Sequence, residues 1–466
     1  MWNHNEELGM TGGSQVSTRL RLAGAVAVMA IIAGACGGTA ATAAPTAAPA
    51  ATAAPAATAA PAATAAPVTP EPTAAPATID WWHITTGEPG KGIFQGIADA
   101  YTKAHPNVNI AITVLENEAY KTKLATSMQS GQVPDLFQSW GGGTMASQAD
   151  AGLLKDITAD VASWKDTVNP GAMSIYSYNG KQYGVPWDMG MIGVWYNKAL
   201  FAKAGITAPP ASWDEFLADV TKLKAAKIVP LAIAGKDKWP SMHLWTYLLL
   251  RSGGGQALAD MIKSGNWNTD ACKAAGAEVL KLNALQPYQP GYKAADYNAE
   301  AAAVGNGKAA MEVMGQWAPS VQKDQSASKN GIGEDLGWFA FPPITGGAGA
   351  PTDGIGGGNG IAVGKDAPPE ALDFLKFFNS AENANKINAA GMGLSPVVGT
   401  ASTITDPNLQ AVLAGRDQAT FMQLYLDQAT SPAMGSAIND ATVALFLGAS
   451  TPEAACQAIT DAAAAQ

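Results

Sequence analysis

The sequence predicts an α/β fold built on a parallel sheet, on three observations. Strand, helix, strand, helix and strand patterns follow one another within about sixty residues from Ile79 to Trp140. Apolar residues make up 47% of the chain, too many for a chain disordered throughout. Past a low-charge leader, 389 residues remain, enough for about two domains of ordinary size.

The elements follow in order. Ile79-Asp80-Trp81-Trp82-His83-Ile84 reads as a buried first strand, and Thr85 to Gly90 as a turn. Gly92 to His105 is a helix with Phe94, Ile97 and Tyr101 on one face. Val108 to Leu115 alternates as a second strand, and Ala119 to Ser130 is helical. Asp135 to Trp140 is a third strand, closed by Gly141-Gly142-Gly143. In a parallel sheet, ligands bind beyond the carboxyl ends of the strands. The loops after the first and third strands are therefore the places to look, and both carry Trp.

Further along, Ser212-Trp213-Asp214-Glu215 has the spacing of a capping box, with Phe216, Val220 and Leu223 facing inward. A Gly/Pro-rich stretch runs from Phe341 to Gly360 into an apolar strand, Ile361-Ala362-Val363. Asp373 to Phe378 is apolar and helical, and Ala-rich helices end the chain.

Composition excludes several classes. A net charge of −10 argues against nucleic acid, which needs a basic face. Four His, with no pair at i,i+4, give no metal site, and no phosphate-loop or nucleophile motif is present, so no cofactor is expected. Trp is the odd feature: 13, against 11 Phe and 11 Tyr.

The first 77 residues read as targeting. Arg19 and Arg21 precede an uncharged apolar run from Leu22 to Ala35, shorter than the ~20 residues that span a bilayer. The run ends Ala33-Gly34-Ala35-Cys36, which resembles a bacterial lipobox with Ala33 in place of the usual Leu. Residues 1–35 are thus expected to be a signal peptide and Cys36 a lipidated N-terminus. Residues 36–77, rich in Ala, Thr and Pro, would be a semi-extended tether. The protein is then expected outside the cytoplasm, anchored to the outer face of the membrane.

An ordered set of motifs runs through the rest. It comprises Ala100-Tyr101-Thr102, His105-Pro106-Asn107-Val108, Ser130-Gly131-Gln132-Val133-Pro134-Asp135 and Trp195-Tyr196-Asn197-Lys198. Trp213-Asp214-Glu215-Phe216, Gly307-Lys308-Ala309-Ala310-Met311 and Gly315-Gln316-Trp317 complete it. The set resembles the family 1 extracellular solute-binding proteins of sugar ABC transporters, relatives of maltose-binding protein, over residues 78–466. The resemblance implies a two-lobed periplasmic-binding-protein fold with a hinge and an interlobe cleft. The lobes would comprise 78–186 with 341–378, and 187–340 with 379–466. It also implies a monomer that passes a carbohydrate ligand to a permease served by a separate ATPase.

A sugar ring has apolar C–H faces and a rim of hydroxyls, so flat aromatics and planar polar groups hold it. Trp140 beside Gly141 and the pair Trp82-His83 end strands, and Glu88 is a rim acceptor in the first loop. Trp239 and His243 open a helix, and Asn359 precedes the Ile361 strand. By the resemblance, Asp188 accepts from hydroxyls beside a stacking Trp187, and Trp317 is the stacking aromatic of the second lobe. Trp195, Tyr196, Trp213, Trp245, Trp267 and Trp338 are expected to be packing residues.

Two other classes stay open. A secreted glycosidase would need two carboxylates about 5–10 Å apart, and Glu88 with Asp188 are the candidates. A non-sugar solute is the other. Cys272 and Cys456 form either a disulfide or two buried thiols.

Overall fold

The computed structural model describes residues 75–466. The expected signal peptide, Cys36 and nearly all of the expected tether lie outside them.

Three larger sheets carry the fold, beside a two-stranded one of Ser177–Tyr178 and Lys181–Gln182. The first has five strands in the order Val108–Val114, Ala77–His83, Leu136–Ser139, Gly360–Val363, Gly184–Pro186. Its first three strands are parallel and the last two join antiparallel. The helices Gly90–Ala104 and Asn117–Gln129 make the crossovers, and Phe94, Ile97 and Tyr101 are buried as the helical spacing predicts.

The adjacent Trp81 and Trp82 explain why this sheet is covered on both sides. Successive side chains of a strand point to opposite faces. Trp81 is buried against Phe94, Phe374 and Phe378, and Trp82 lies in the cluster with Tyr120 and Phe137 on the other face. The Trp82 indole N–H donates to the Asp80 carboxylate at 2.8 Å, and the Lys123 ammonium sits 4.1 Å from its ring centre.

The second sheet runs Leu336–Phe339, Gly193–Asn197, Ala309–Met314, Val229–Leu231. A third, of three short strands, runs Met422–Leu424, Gly354–Gly357, Gly190–Met191. Both pack into one large core that holds Ile192, Val194, Trp213, Trp245, Trp267 and Ile355. In the capping box, Ser212 accepts from the Glu215 N–H at 3.2 Å, and the Glu215 carboxylate accepts from Ala211 N–H at 2.8 Å. Trp213 stacks on Phe216 at 4.8 Å, and Trp195 is fully buried, both as packing residues.

The Gly/Pro-rich stretch departs from the expected division of the chain. Phe341 packs on Trp213 and Tyr247 in the large core rather than with the first sheet. The cause is strand pairing: Gly354–Gly357 joins Met422–Leu424 and Gly190–Met191 before Gly360–Val363 enters the first sheet. The smaller core then takes Ile361 to Phe378 and continues through Ile387, Met392 and Val397, past residue 378.

Cys272 and Cys456 form a disulfide that joins the helices Asp270–Ala284 and Pro452–Ala464. Of the two states left open by the sequence, the structure has the oxidised one.

Candidate functional site

Loops at strand ends and helix starts converge on an open cleft of about 1200 Å³, the solvent at its mouth included, between the first sheet and the other two. Thr85 to Gly87 reach it from the end of Ala77–His83, Trp140 from Leu136–Ser139 and Trp187 from Gly184–Pro186. Opposite, Trp317 follows Ala309–Met314, while Trp239 and His243 lie on the first turns of the helix Trp239–Ser264. Asn359 enters from the link between Gly354–Gly357 and Gly360–Val363.

The second side is an aromatic box. Trp239 lies 5.0 Å from Tyr297 and 5.3 Å from His243, ring centre to ring centre. His243 lies 5.6 Å from Tyr425 and 6.3 Å from Trp317. Trp317 meets Tyr425 nearly edge-on at 5.8 Å. Across the cavity, the Lys121 ammonium stands 5.6 Å from the Trp140 ring centre and 5.8 Å from that of Trp239. That ammonium is already paired with Glu118 at 2.9 Å.

Four polar atoms of the box have no protein partner: Trp239 Nε1, His243 Nδ1 and the Tyr297 and Tyr425 hydroxyls. A buried polar atom left unpaired costs about 1–3 kcal/mol, and a ligand hydroxyl can bond to any of them. Burial pushes the His243 imidazole down to about 3, with the Lys121 charge adding to it, so the ring is neutral at physiological pH. The arrangement can therefore hold flat apolar faces and bond uncharged hydroxyls at their rims.

Six of the residues expected from sequence line this cavity: Trp140, Trp187, Trp239, His243, Trp317 and Asn359. Five lie elsewhere. Trp82 is buried on the far face of the first sheet, as described above. His83 is buried against Trp81 and Phe94, and its Nδ1 accepts from the Thr85 N–H at 3.2 Å. Glu88 is exposed and accepts from the Gly92 N–H at 3.0 Å in the first turn of its helix. Gly141 has φ +70°, and a Cβ there would come 2.4 Å from the Ile175 carbonyl oxygen, so packing rather than ligand approach requires the glycine.

Asp188 is the fifth, and the most informative. It is fully buried behind the wall, with both carboxylate oxygens occupied by protein donors. Asp188 and Glu88 thus do not flank a common space, which removes the carboxylate pair suggested for hydrolysis.

Sequence reasoning missed the polar rim and part of the box. Glu116 and Asn117 sit at the start of the helix Asn117–Gln129, facing Asn298 across the cavity. The Asn298 amide donates to the Glu116 carboxylate at 3.2 Å, which links the two sides. Tyr425 reaches the box because Met422–Leu424 pairs with Gly354–Gly357, a contact between residues about seventy positions apart. The turn after the first strand was a legible signal for Thr85 to Gly87. Nothing local marks Glu116 or Tyr425.

Behind Tyr297 lie two buried carboxyls, Glu300 and Glu312. Burial raises both above the usual carboxylate range, and the charge of each neighbour adds to it for Glu300. Glu312 accepts from the Gln322 amide at 2.6 Å. The folded chain therefore holds these protons more tightly than the unfolded one, and stability falls as pH rises above the ordinary carboxylate value near 4.5. Glu312→Gln keeps the acceptor and removes the charge. Urea denaturation at pH 8 should show the variant more stable by about 1–3 kcal/mol, with the gain shrinking toward pH 5.

Comparison with known proteins agrees with this architecture. The model of the bacterial extracellular solute-binding protein family matches residues 85–385, more than half of the chain. A multiple sugar-binding protein of Streptococcus mutans is 29% identical over 280 residues, 57% of this chain and 60% of that protein. A maltotriose-binding protein of Pyrococcus abyssi is 26% identical over 356 residues, 74% of this chain and 71% of that one. The chain spans 54–60% of the length of several curated relatives that it matches. A structure solved in a study of xylan utilization by the thermophilic bacterium Caldanaerobius polysaccharolyticus superposes with a TM-score of 0.77. That pair is 27% identical, covering 82% of this chain and 99% of the other. With its family motifs in order, two α/β halves and a cavity between them, the chain belongs to the bacterial extracellular solute-binding protein family.

Proposed function

We propose that this chain captures a neutral oligosaccharide in the cavity between its two α/β halves and delivers it to an ABC importer. One observation carries the reading: an aromatic wall of Trp140, Trp187, Trp239, Trp317 and Tyr425 with unpaired Trp239 Nε1 and His243 Nδ1 among the rings. Stacked rings take the apolar faces of sugar units, and the unpaired nitrogens take hydroxyls. The single lysine on the wall is held by Glu118, and Glu116 and Asp324 are also on the wall, so nothing favours an anionic sugar. Relatives named for multiple sugars and maltotriose support the class, and so does the neighbour from the study of xylan utilization.

The mechanism is hinge closure. The lobes comprise the first sheet with its helices, and the second and third sheets with theirs. Ligand bridges them and shifts the population to a closed form, which a membrane permease with a separate ATPase recognises. Cys36, lipidated after removal of residues 1–35, tethers the monomer to the outer face of the membrane through residues 36–77. In this reading the chain performs no catalysis.

A thermal-shift screen of the chain against xylo-, cello-, malto- and chito-oligosaccharides tests it. At least one di- to tetrasaccharide should raise the melting temperature, by an amount that grows with the logarithm of its concentration. No response to any saccharide, together with a response to a peptide or polyamine, would replace the reading with a non-sugar one.

A further inference from the structure

Three stretches of chain pass between the first sheet and the rest of the molecule, and all three meet at one buried carboxylate. The stretch from Pro186 to Gly190 carries Asp188 itself. The stretch from Gly357 to Gly360 brings Asn359, whose amide donates to Asp188 Oδ2 at 2.9 Å and whose carbonyl accepts from Trp187 and Asp188 N–H. The third, where the chain leaves the smaller core between Met392 and Ile404, brings Leu394, whose N–H donates to Asp188 Oδ1 at 2.7 Å and whose carbonyl accepts from Met189 N–H at 2.9 Å.

Each half of the molecule adds a link. From the second sheet, the Gln316 amide donates to Asp188 Oδ2 at 2.7 Å, one residue before Trp317. From the first sheet, the Gln138 amide donates to Asn359 Oδ1 at 2.8 Å. The packing leaves no slack: a Cβ on Gly358 would lie 1.6 Å from the Asp188 carbonyl oxygen, and one on Gly393 would lie 2.7 Å from Asp188 Oδ1. A carboxylate suits such a node because it accepts several bonds and donates none.

Resting on the functional reading above, we infer that Asp188 is a positioning residue for ligand capture. Its ionised carboxylate pins the three crossing segments so that Trp317 and Asn359 meet the ligand, and protonation releases the closed form. The residue touches no ligand; it acts through Gln316 and Asn359.

The charge state gives this a pH signature. Burial raises the Asp188 carboxyl to about 6, against the lowering effects of the Leu394, Gln316 and Asn359 bonds and of Arg416. Opening that withdraws Gln316 or Asn359 while the carboxylate stays buried against Gly358 and Gly393 removes a lowering bond and keeps the burial that raises it, so the open form binds a proton more readily than the closed one. Proton binding then favours opening, and affinity falls as pH drops toward about 6 and levels off below it. The groups that face the carboxylate are Arg416 on the helix Pro407–Asp417, Tyr176 and Tyr425. Burial holds both tyrosines neutral over this range, so neither supplies the step.

The test combines calorimetry and small-angle scattering on the full chain between pH 7.5 and 5.0, with xylotriose, maltotriose and diacetylchitobiose as probes. Wild-type affinity should fall roughly tenfold over this range, one pKa unit of difference between open and closed forms. Asp188→Asn should bind roughly 10- to 100-fold more weakly at pH 7.5 and lose the step. Ligand-free wild type should shift toward the extended form at low pH, and the variant should not. A pH step that survives in Asp188→Asn, or a variant that loses stability alone, overturns the inference. A wild type that binds none of the probes sinks the functional reading instead, and the ligand-free scattering still decides the role of Asp188. If Asp188→Asn fails to fold, Gln316→Leu serves: its scattering midpoint should move to higher pH, and an unmoved midpoint is the contrary result.

Discussion

Replacing Trp317 with alanine should weaken oligosaccharide binding by about 2–4 kcal/mol, roughly 30- to 1000-fold. Trp317 immediately precedes the helix Ala318–Gln325 and follows closely on the strand Ala309–Met314, so its main chain is fixed from both sides. It is half-buried, held edge-on by Tyr425, with its remaining surface turned to the cavity. Truncation removes a stacking face and floods the box beside His243 and Trp239, where rim hydroxyl bonds depend on exclusion of water. Because the ring is not in the fully buried core, most of the loss should fall on affinity. Calorimetry on wild type and variant with the best saccharide, beside urea denaturation of both, separates the two. Full affinity in the variant would remove the aromatic box from the site.

The largest expected effect on stability is at Arg251. Its guanidinium is completely buried and donates to five carbonyl oxygens of one loop: Phe341, Pro342, Ala350, Pro351 and Asp353. This loop is rich in Pro and Gly, so it cannot satisfy those carbonyls with a ladder of its own. The planar fork of five N–H groups does so instead, from the helix Trp239–Ser264, while resting 5.2 Å from the Tyr247 ring centre. Arg251→Met preserves much of the volume and removes every donor. It should cost about 3–5 kcal/mol in urea unfolding, since breaking a buried charged network strands its partners. Arg251→Lys, with three donors and no planar fork, should recover only part of that. A methionine variant within about 1 kcal/mol of wild type would mean that water or loop relaxation satisfies the carbonyls.

Much of the first sheet was legible because its signals are local. Apolar runs, turn residues and the Phe94, Ile97, Tyr101 spacing mark its strands and helix within a residue or two of where they fold. The cavity aromatics were legible too: Trp140 from its place after a strand, and Trp187 and Trp317 from the family resemblance. What failed has a common cause. Trp82 and His83 looked like strand-end ligands, but a sheet covered on both faces buries its side chains in both directions. Asp188 sits at the expected place in the chain, yet Leu394, Gln316 and Asn359 reach it from positions far along the sequence. The three-stranded sheet and the Arg251 anchor are likewise tertiary facts. Only pairing between distant segments decides that Phe341 packs with Trp213 and not with the first sheet.

The crystal structure of this chain with the best saccharide from the screen tests the central claim most directly. The account places a sugar ring against Trp317, with hydroxyls bonded to Trp239 Nε1 and His243 Nδ1 and Asp188 behind the wall. A saccharide bound outside this cavity, or one held by charged groups with the aromatic box untouched, would contradict it.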